Sequence, residues 1–392
     1  MTKTTMRRPL AVRGLAALLT ATVGLGAPLA ASAETVKLGL IGSLTGPHAG
    51  WDVPASEGLR MAVGEINAKG GFTVGGKTYT FAVSEEDAQS KPDVAAAGAQ
   101  KLLSDDDIKV VFGILTSTPG MAAAVPIGKA KVLYIGGFTS LDTLIGKPGN
   151  ELFFRALDSD GIAAAPFVQE TVKELGVKKI GMLFPNEDVS KSIVKAYQPL
   201  FEKAGVQVPI VEYFQPGTSD FAPVLRKFQR QGLDGLFIGY SDPDAEAIVR
   251  QSLEVGDLPT KFIYRGGSGA PAAKYAGRID GFAWQILTRD LETANDAKVK
   301  AWIERYKAFA KKDVTATTYW ALTFYDSLSM LVQAMQAAGS TTDVKAIAAK
   351  LKGMKYDGVR QMQFDPQGFA RTDIDIGFIK GGKTFSVPAH LQ

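Results

Sequence analysis

Three polar stretches in the first half of the chain carry residue types suited to gripping an anion. They are Gly42-Ser43-Leu44-Thr45-Gly46-Pro47, Thr116-Ser117-Thr118 and Gly136-Gly137-Phe138-Thr139-Ser140. Glycine exposes backbone N–H groups, hydroxyls add donors, and helix amino termini nearby favour negative charge, so together they suit a carboxylate. Ser and Thr at such positions also cap helices, and any single stretch reads first as a cap; it is several of them converging on one rim that argue for binding. The second half supplies Phe184-Pro185-Asn186-Glu187-Asp188, Tyr240-Ser241-Asp242 and Arg265-Gly266-Gly267-Ser268, which are more charged. Trp51 lies on a polar loop after Pro47 and is read as a ligand contact. His48 beside it reads as a solvated loop residue. Phe138, Phe184, Tyr240 and Tyr264 fit either a core or a cleft wall.

Catalysis finds little to work with. The chain has 2 histidines, His48 and His390, and a Ser–His–acid triad would have to use one of them. No Gly-x-Ser-x-Gly elbow, phosphate loop or Gly-x-Gly-x-x-Gly fingerprint occurs, and no EF-hand spacing. Cysteine is absent, which removes disulfides, zinc thiolates, thiol nucleophiles and lipid attachment through cysteine. The expectation is a binding protein with neither enzyme activity nor cofactor or metal.

The elements that must position these stretches alternate. Strands are predicted at Val36–Ile41, Thr78–Glu85, Val110–Leu115, Val132–Gly136, Leu152–Ala156, Lys179–Phe184, Val208–Tyr213, Gly235–Gly239 and Lys261–Tyr264. Helices are predicted between them, at Ser56–Asn67, Pro92–Leu103, Gly120–Lys129, Gly161–Glu174, Lys191–Ala204, Phe221–Arg230 and Asp244–Val255. Such alternation implies right-handed βαβ crossovers, parallel sheets and helices on both faces. Ligands of open α/β sheets sit at the carboxyl ends of the strands, where the polar stretches fall. After Trp284 the pattern changes to helices at Ala297–Ala310, Thr317–Ala338 and Val344–Leu351, then a β-rich tail. Gly70–Gly76 reads as a hairpin-like turn.

Residues Met1 to Ala33 combine a basic start, an apolar run from Leu15 to Leu25 and Ala31-Ser32-Ala33, the pattern of a cleaved export signal. The apolar run is too short to span a bilayer, which takes about 20 residues. Lys3, Arg7, Arg8 and Arg13 account for the whole net charge of +4, so the remainder is balanced and gives no case for a nucleic-acid partner. The expected location is the periplasm, with cleavage after Ala33. The chain exceeds the length at which one core keeps growing, and two domains are expected.

The chain resembles the periplasmic solute-binding proteins of ABC importers of the leucine/isoleucine/valine-binding type. The likeness is carried by Val36-Lys37-Leu38-Gly39-Leu40-Ile41-Gly42 with Thr45-Gly46-Pro47, and by Gly58…Ala62…Ile66-Asn67-Ala68-Lys69-Gly70-Gly71. It continues in Glu86-Asp87-Ala88, in Arg155 ahead of Asp158-Ser159-Asp160, in Thr317-Thr318-Tyr319-Trp320-Ala321-Leu322 and in Phe364-Asp365-Pro366-Gln367-Gly368. The resemblance implies an α/β fold of two lobes closing on a ligand, each a parallel sheet flanked by helices, joined by a multi-crossover hinge. It places lobe 1 at 34–156 plus 286–360 and lobe 2 at 157–285 plus 361–392. It implies a monomer that serves permease and ATPase subunits in the inner membrane; a sensory receptor with a membrane signalling partner is the alternative. Trp51 then falls against the ligand side chain, and Ser117, the Gly137 backbone and Thr139 on its carboxylate, with Asp160 near the hinge. Gly266 stands where amino-acid binders of the family place a glutamate for the ligand ammonium, with Arg265 beside it; family tyrosines align with Val189 and Ser241. Either Asp242, Asp188 or Asp160 supplies the counter-charge, or the ligand is not an α-amino acid and Arg265 meets its polar end. The ligand class therefore stays open between branched-chain or aromatic amino acids and aromatic or aliphatic acids.

Overall fold

The computed structural model describes residues 1–2 and 33–389, apart from 139, 140, 142, 159, 240, 294 and 295; the side chains of 160–162 and 188 also fall outside the description. The export signal read over residues 1–33 lies almost wholly outside the described residues. The first part of the chain forms β1 (Glu34–Gly42), α1 (Ala49–Ala68), β2 (Phe72–Val74), β3 (Lys77–Asp87), α2 (Pro92–Leu102), β4 (Val110–Gly113), α3 (Ser117–Ala130), β5 (Leu133–Gly136) and β6 (Phe153–Arg155). The second part forms α4 (Asp160–Leu175), β7 (Lys179–Pro185), α5 (Asp188–Lys203), β8 (Gln207–Phe214), α6 (Ala222–Gln229), β9 (Gly235–Ile238), α7 (Asp242–Val255), β10 (Lys261–Tyr264), α8 (Ala270–Ala273) and β11 (Gly281–Ile286). The remainder gives α9 (Ala297–Ala310), a 3-10 turn at Thr318–Trp320, α10 (Ala321–Ala338), α11 (Val344–Leu351), β12 (Lys355–Asp357), β13 (Gln361–Phe364), β14 (Ala370–Thr372), β15 (Ile374–Lys380) and β16 (Lys383–Ala389).

Two large sheets result, ordered β2-β3-β1-β4-β5-β6 and β16-β15-β11-β10-β9-β7-β8, with a small β12-β13-β14 sheet beside them. The central pairs are parallel. The chain direction across each sheet reverses once, between β1 and β4 in the first and between β7 and β9 in the second. At such reversals the loops beyond the carboxyl ends splay apart and leave a crevice.

Strand alternation fills both faces. In the first sheet Leu38, Leu40, Phe112 and Ile135 pack with Leu59 of α1 and Leu328 of α10, while Ile41, Val111 and Tyr134 pack with Ala95 of α2 and Ile127 of α3. This is the buried-on-both-faces pattern of parallel sheets.

The structure corrects several boundaries: α3, α5 and α7 begin at Ser117, Asp188 and Asp242, two or three residues before the predicted Gly120, Lys191 and Asp244. The first helix starts at Ala49, not Ser56, so Trp51 stands in its first turns and not on a loop. Pro54 lies inside this helix and removes one backbone donor; the turn nevertheless holds because Asp52 is anchored from outside, as described below. The helix predicted over Thr317–Ala338 is divided into the 3-10 turn and α10.

The chain passes between the two sheets three times, near 156–160, 287–290 and 373, and these passages are tied to one another. Residues 361–372 still adjoin the first sheet, where Arg155 pairs with Phe369. The Asp375 N–H donates to the Thr288 carbonyl at 2.9 Å, and the Asp290 N–H donates to the Asp375 carboxylate at 2.6 Å. The Thr372 N–H donates to Asp158 Oδ2 at 3.2 Å. Asp158 is fully buried, and its Oδ1 has no hydrogen-bond partner among the described residues.

Burial pushes the Asp158 carboxyl well above its ordinary value, against the Thr372 N–H and the Arg155, Arg360 and Arg371 charges. A carboxyl raised on folding contributes most below its unfolded value and loses that contribution as pH rises through the folded value. Asp158→Asn is therefore expected to raise the melting temperature at pH 8. That gain should shrink as the pH is lowered towards the ordinary carboxylate range, which thermal unfolding followed by circular dichroism over pH 4 to 8 would check.

Candidate functional site

The loops at the first reversal are held by two carboxylates. Asp52, fully buried in α1, accepts the Ser43 N–H on Oδ2 at 2.7 Å and the Leu115 N–H on Oδ1 at 2.6 Å. One side chain thereby fixes the loop after β1 and the loop after β4. Burial raises the Asp52 carboxyl, against the pull of those two N–H groups. Asp87, at the end of β3, accepts the Leu44 N–H at 2.9 Å, the Thr45 N–H at 3.2 Å and the Thr45 hydroxyl at 2.7 Å. Burial opposes charge there, but these bonds outweigh it and hold the carboxyl below its ordinary value.

Thr116 does not take the capping role at the start of α3. Thr116 precedes α3 in an extended conformation and makes no side-chain cap bond. Its hydroxyl is buried and has no hydrogen-bond partner among the described residues. Ser117 begins α3, half-buried, in a first turn that the Thr116 side chain does not cap; Pro119 brings no N–H to this turn, and the Gly120 N–H is donated to the Thr116 carbonyl at 3.0 Å. A carboxylate placed there would meet the amino end of a 14-residue helix. Thr116 was legible as a polar loop residue, but nothing in the sequence showed that it would be left uncapped.

Trp51 stands at the rim, 40% exposed, with its ring stacked on His48 at 5.8 Å and nearly parallel. His48 is thus one half of an aromatic pair, not a freely solvated side chain. Two other expected contacts take different roles. The Gly137 N–H is donated to the Ile114 carbonyl at 3.1 Å and is not a spare donor; a Cβ on Gly137 would lie 2.2 Å from Leu115, so the residue serves close packing of the loops. Phe138 is fully buried against α3, where a Cβ on Gly120 would strike its ring at 2.4 Å, and it belongs to the core. Thr139 lies outside the described residues.

At the second reversal, α5 starts at Asp188 and α7 at Asp242. Ser241 is half-buried and does not cap α7. Asp242 is exposed, and its carboxylate accepts the Tyr264 hydroxyl on Oδ1 and the Ser268 hydroxyl on Oδ2, the latter at 2.9 Å. Burial and then the Asp242 charge push the Tyr264 phenol far above its ordinary value, so Tyr264 remains a donor. Tyr319, in the 3-10 turn, faces the same loop: a Cβ on Gly267 would lie 1.9 Å from its hydroxyl oxygen. Burial raises its phenol, while the neighbouring Arg265 charge lowers it and the Asp242 charge raises it. A Cβ on Gly266 would lie 2.0 Å from Tyr264 Cζ, so this position admits no side chain while Tyr264 keeps its place. Arg265 is largely buried and donates its N–H to the Ile238 carbonyl at 3.2 Å. Asp160 and Asp188 begin their helices, but their side chains are outside the description, so the geometry does not join them to this group. Tyr319 was not expected in the site, while Tyr264 was read as core or cleft wall and Ser268 as part of a cleft loop, neither with an assigned partner. The signal for Tyr264 and Ser268 was their spacing around the Gly-Gly pair.

Two sheets, each with one reversal of strand order, joined by passages that are tied to one another, describe a two-lobed fold. Residues 35–383 match the family model for periplasmic binding proteins. The chain belongs to that family. Among relatives of this family member, the leucine-, isoleucine-, valine-, threonine- and alanine-binding protein of Pseudomonas aeruginosa is 25% identical over 342 residues, covering 86% of this chain and 87% of the relative. The Leu/Ile/Val/Thr-binding protein of Salmonella typhimurium is 28% identical over 358 residues, covering 90% and 93%. In fold, the leucine-binding protein LivK of Thermotoga maritima superposes with a TM-score of 0.72 at 22% identity, over 91% of this chain and 99% of that one. An ABC-transporter solute-binding protein of R. palustris in complex with benzoate gives 0.69 at 17% identity, over 91% and 96%. Like them, this periplasmic binding protein has a two-lobed α/β fold. Among the described residues no helix is long and apolar enough to cross a membrane, and no cluster of His, Cys, Asp and Glu is arranged to hold a metal.

Proposed function

We propose that this chain is the extracytoplasmic solute-binding component of an ABC importer, capturing a small carboxylate by closure of two lobes and delivering it to permease and ATPase subunits in the inner membrane. The lobe boundaries proposed follow the passages between the sheets, near 156, 286 and the segment 361–373. The observation that carries the reading is the buried Thr116 hydroxyl at the start of α3, without a hydrogen-bond partner among the described residues, beside loops that Asp52 holds in place. A site whose donors are already aimed loses little entropy when the ligand arrives. In this reading the carboxylate binds Ser117, Thr139 and the first N–H groups of α3, with the Thr116 hydroxyl adding a donor. Trp51 covers the apolar part of the ligand. The second lobe then closes, and contacts made only in the closed state shift the population towards it.

The ligands in the relatives' names are amino acids, and we take a small amino acid as the ligand class. Export to the periplasm agrees with the basic, apolar, small-residue order of residues 1–33. Trp51→Ala and Thr139→Ala are each expected to weaken binding by at least about tenfold, the scale of a lost aromatic contact or charge-assisted hydrogen bond. Isothermal titration with the ligand selected from a thermal-shift panel would measure this. Unchanged affinity in both variants rejects the site.

A further inference from the structure

A small amino acid brings an ammonium as well as a carboxylate, and the donors of the first lobe can satisfy only the carboxylate. A buried ammonium without an anionic partner costs several kcal/mol, which a solute receptor cannot absorb. The second lobe must therefore present an acceptor at the carboxyl ends of its strands. The geometry points to Asp242 as that acceptor: its carboxylate, held by the Tyr264 and Ser268 hydroxyls at the second reversal, is the counter-charge for the ligand ammonium. This rests on the solute-receptor reading above.

Three observations place it there. Asp242 starts α7 directly beyond β9, on the reversal between β7 and β9, so its backbone stands at the crevice. Its side chain is exposed, yet both carboxylate oxygens are tied, Oδ1 to Tyr264 and Oδ2 to Ser268 at 2.9 Å. Each ionised oxygen accepts more than one hydrogen bond, so capacity remains on the solvent side for an N⁺–H donor. Tyr264 is itself fully buried in the second sheet and anchors the group, which makes the carboxylate pre-oriented and not a freely rotating surface acid.

The neighbouring loop explains why the charge comes from α7. Positions 266 and 267 carry no side chain because the rings of Tyr264 and Tyr319 fill that space. A Cβ at 266 would lie 2.2 Å from the Tyr264 hydroxyl oxygen, and that hydroxyl bonds Asp242 Oδ1. The Asp242 carboxylate therefore occupies about the region that an acidic side chain at 266 would reach. Tyr319 adjoins the same loop: its segment packs beside α1, which carries Trp51, and its hydroxyl meets Gly267, so the loop that holds Ser268 against Asp242 lies next to a segment in contact with the Trp51 helix. An ammonium there would bond Asp242 while the ligand carboxylate stays on α3.

The test pairs each ligand with its deamino form. Leucine, isoleucine, valine, threonine, alanine and phenylalanine, and the corresponding acids lacking the amino group, are titrated calorimetrically into the wild type and into Asp242→Asn. Asparagine keeps the size and an acceptor oxygen but loses the charge. The expected result is that the best amino acid binds the wild type at least about tenfold more tightly than its deamino acid, and that Asp242→Asn abolishes most of this preference while leaving deamino-acid affinity within about twofold. Ser268→Ala, which frees one carboxylate oxygen, is expected to give a smaller loss in the same direction with an unchanged ligand-free melting temperature. The inference is overturned if the wild type binds a deamino acid as tightly as the amino acid, or if Asp242→Asn weakens both forms equally. In those cases the solute-receptor reading survives. Failure of every amino and deamino acid to bind the wild type overturns both.

Discussion

Asp52→Ala is expected to lower stability by several kcal/mol and to abolish measurable ligand binding. The carboxylate is fully buried and accepts two backbone N–H groups, from Ser43 at 2.7 Å and Leu115 at 2.6 Å. Truncation leaves both donors without a partner in the interior, and each such donor costs about 1–3 kcal/mol. The loss of function has a separate origin. The two donors belong to the loops after β1 and β4, and the Asp52 side chain ties both loops to α1, which carries Trp51. Without it the Thr116–Ser117 turn loses its fixed distance from the Trp51 rim. Asp52→Asn keeps one acceptor oxygen but turns an NH₂ towards the other N–H, so it should recover less than half of the stability. Urea unfolding monitored by tryptophan fluorescence gives the stability, with midpoint shifts read at constant slope. Asp106→Ala, on an exposed turn, serves as the comparison and should change stability by no more than about 0.5 kcal/mol. A midpoint shift for Asp52→Ala no larger than that of Asp106→Ala would remove Asp52 from its assigned role.

Asp52 also marks where the sequence is legible and where it is not. The β1 run Thr35–Ile41 alternates into a polar turn, and this local pattern was enough to place a strand and a crevice loop. The α11 span Val344–Leu351 and the hairpin at Phe72–Val74 were equally local, each bounded by its own turn residues. The start of α1 was not local. Pro54 argues for a helix beginning after it, and what overrules that argument is a carboxylate two residues earlier bonding a loop 63 positions away. Phe138 failed for the same reason: whether an aromatic beside two glycines lines a cleft or fills a core depends on Gly120, in another element, leaving room for its ring. In the second lobe, the Gly266-Gly267 pair showed that no side chain projects there. It could not show that Tyr264 and Tyr319 take up the space, because tyrosine at a strand end is compatible with either sheet face. Propensity and period fix elements; the pairings that aim a site are long-range and appear only when the elements are assembled.

The strongest such pairing lies at the hinge, and breaking it on one side should be the most destabilising substitution outside the cleft. Asp326 of α10 and Arg360 are both fully buried, with Arg360 Nε 3.3 Å from Asp326 Oδ2. Asp326 also accepts the Val359 N–H at 3.1 Å and the Arg360 N–H at 2.9 Å, while Arg360 donates from Nη1 to the Ala156 carbonyl at 3.3 Å and from Nη2 to the Thr323 carbonyl at 3.2 Å. Burial pushes the Asp326 carboxyl up and the Arg360 guanidinium down, and each is the main compensation for the other's charge. Asp326→Ala leaves a guanidinium buried without its counter-ion and two N–H groups without an acceptor, a loss of about 3–5 kcal/mol or more. The pair itself is a weak source of net stability, because desolvating two ions offsets most of their attraction; replacing both by apolar residues of similar volume is often neutral or stabilising. The double variant Asp326→Leu with Arg360→Met is therefore expected to recover most of the stability lost in Asp326→Ala. It should not recover ligand affinity to the same degree, since the bond to Ala156 at the first passage between the sheets goes with the guanidinium and the open and closed arrangements are then less sharply defined. Urea midpoints and calorimetric affinities for the wild type, Asp326→Ala and the double variant separate the two effects. Equal recovery of stability and affinity would make the pair a packing element alone, with no part in how the lobes close.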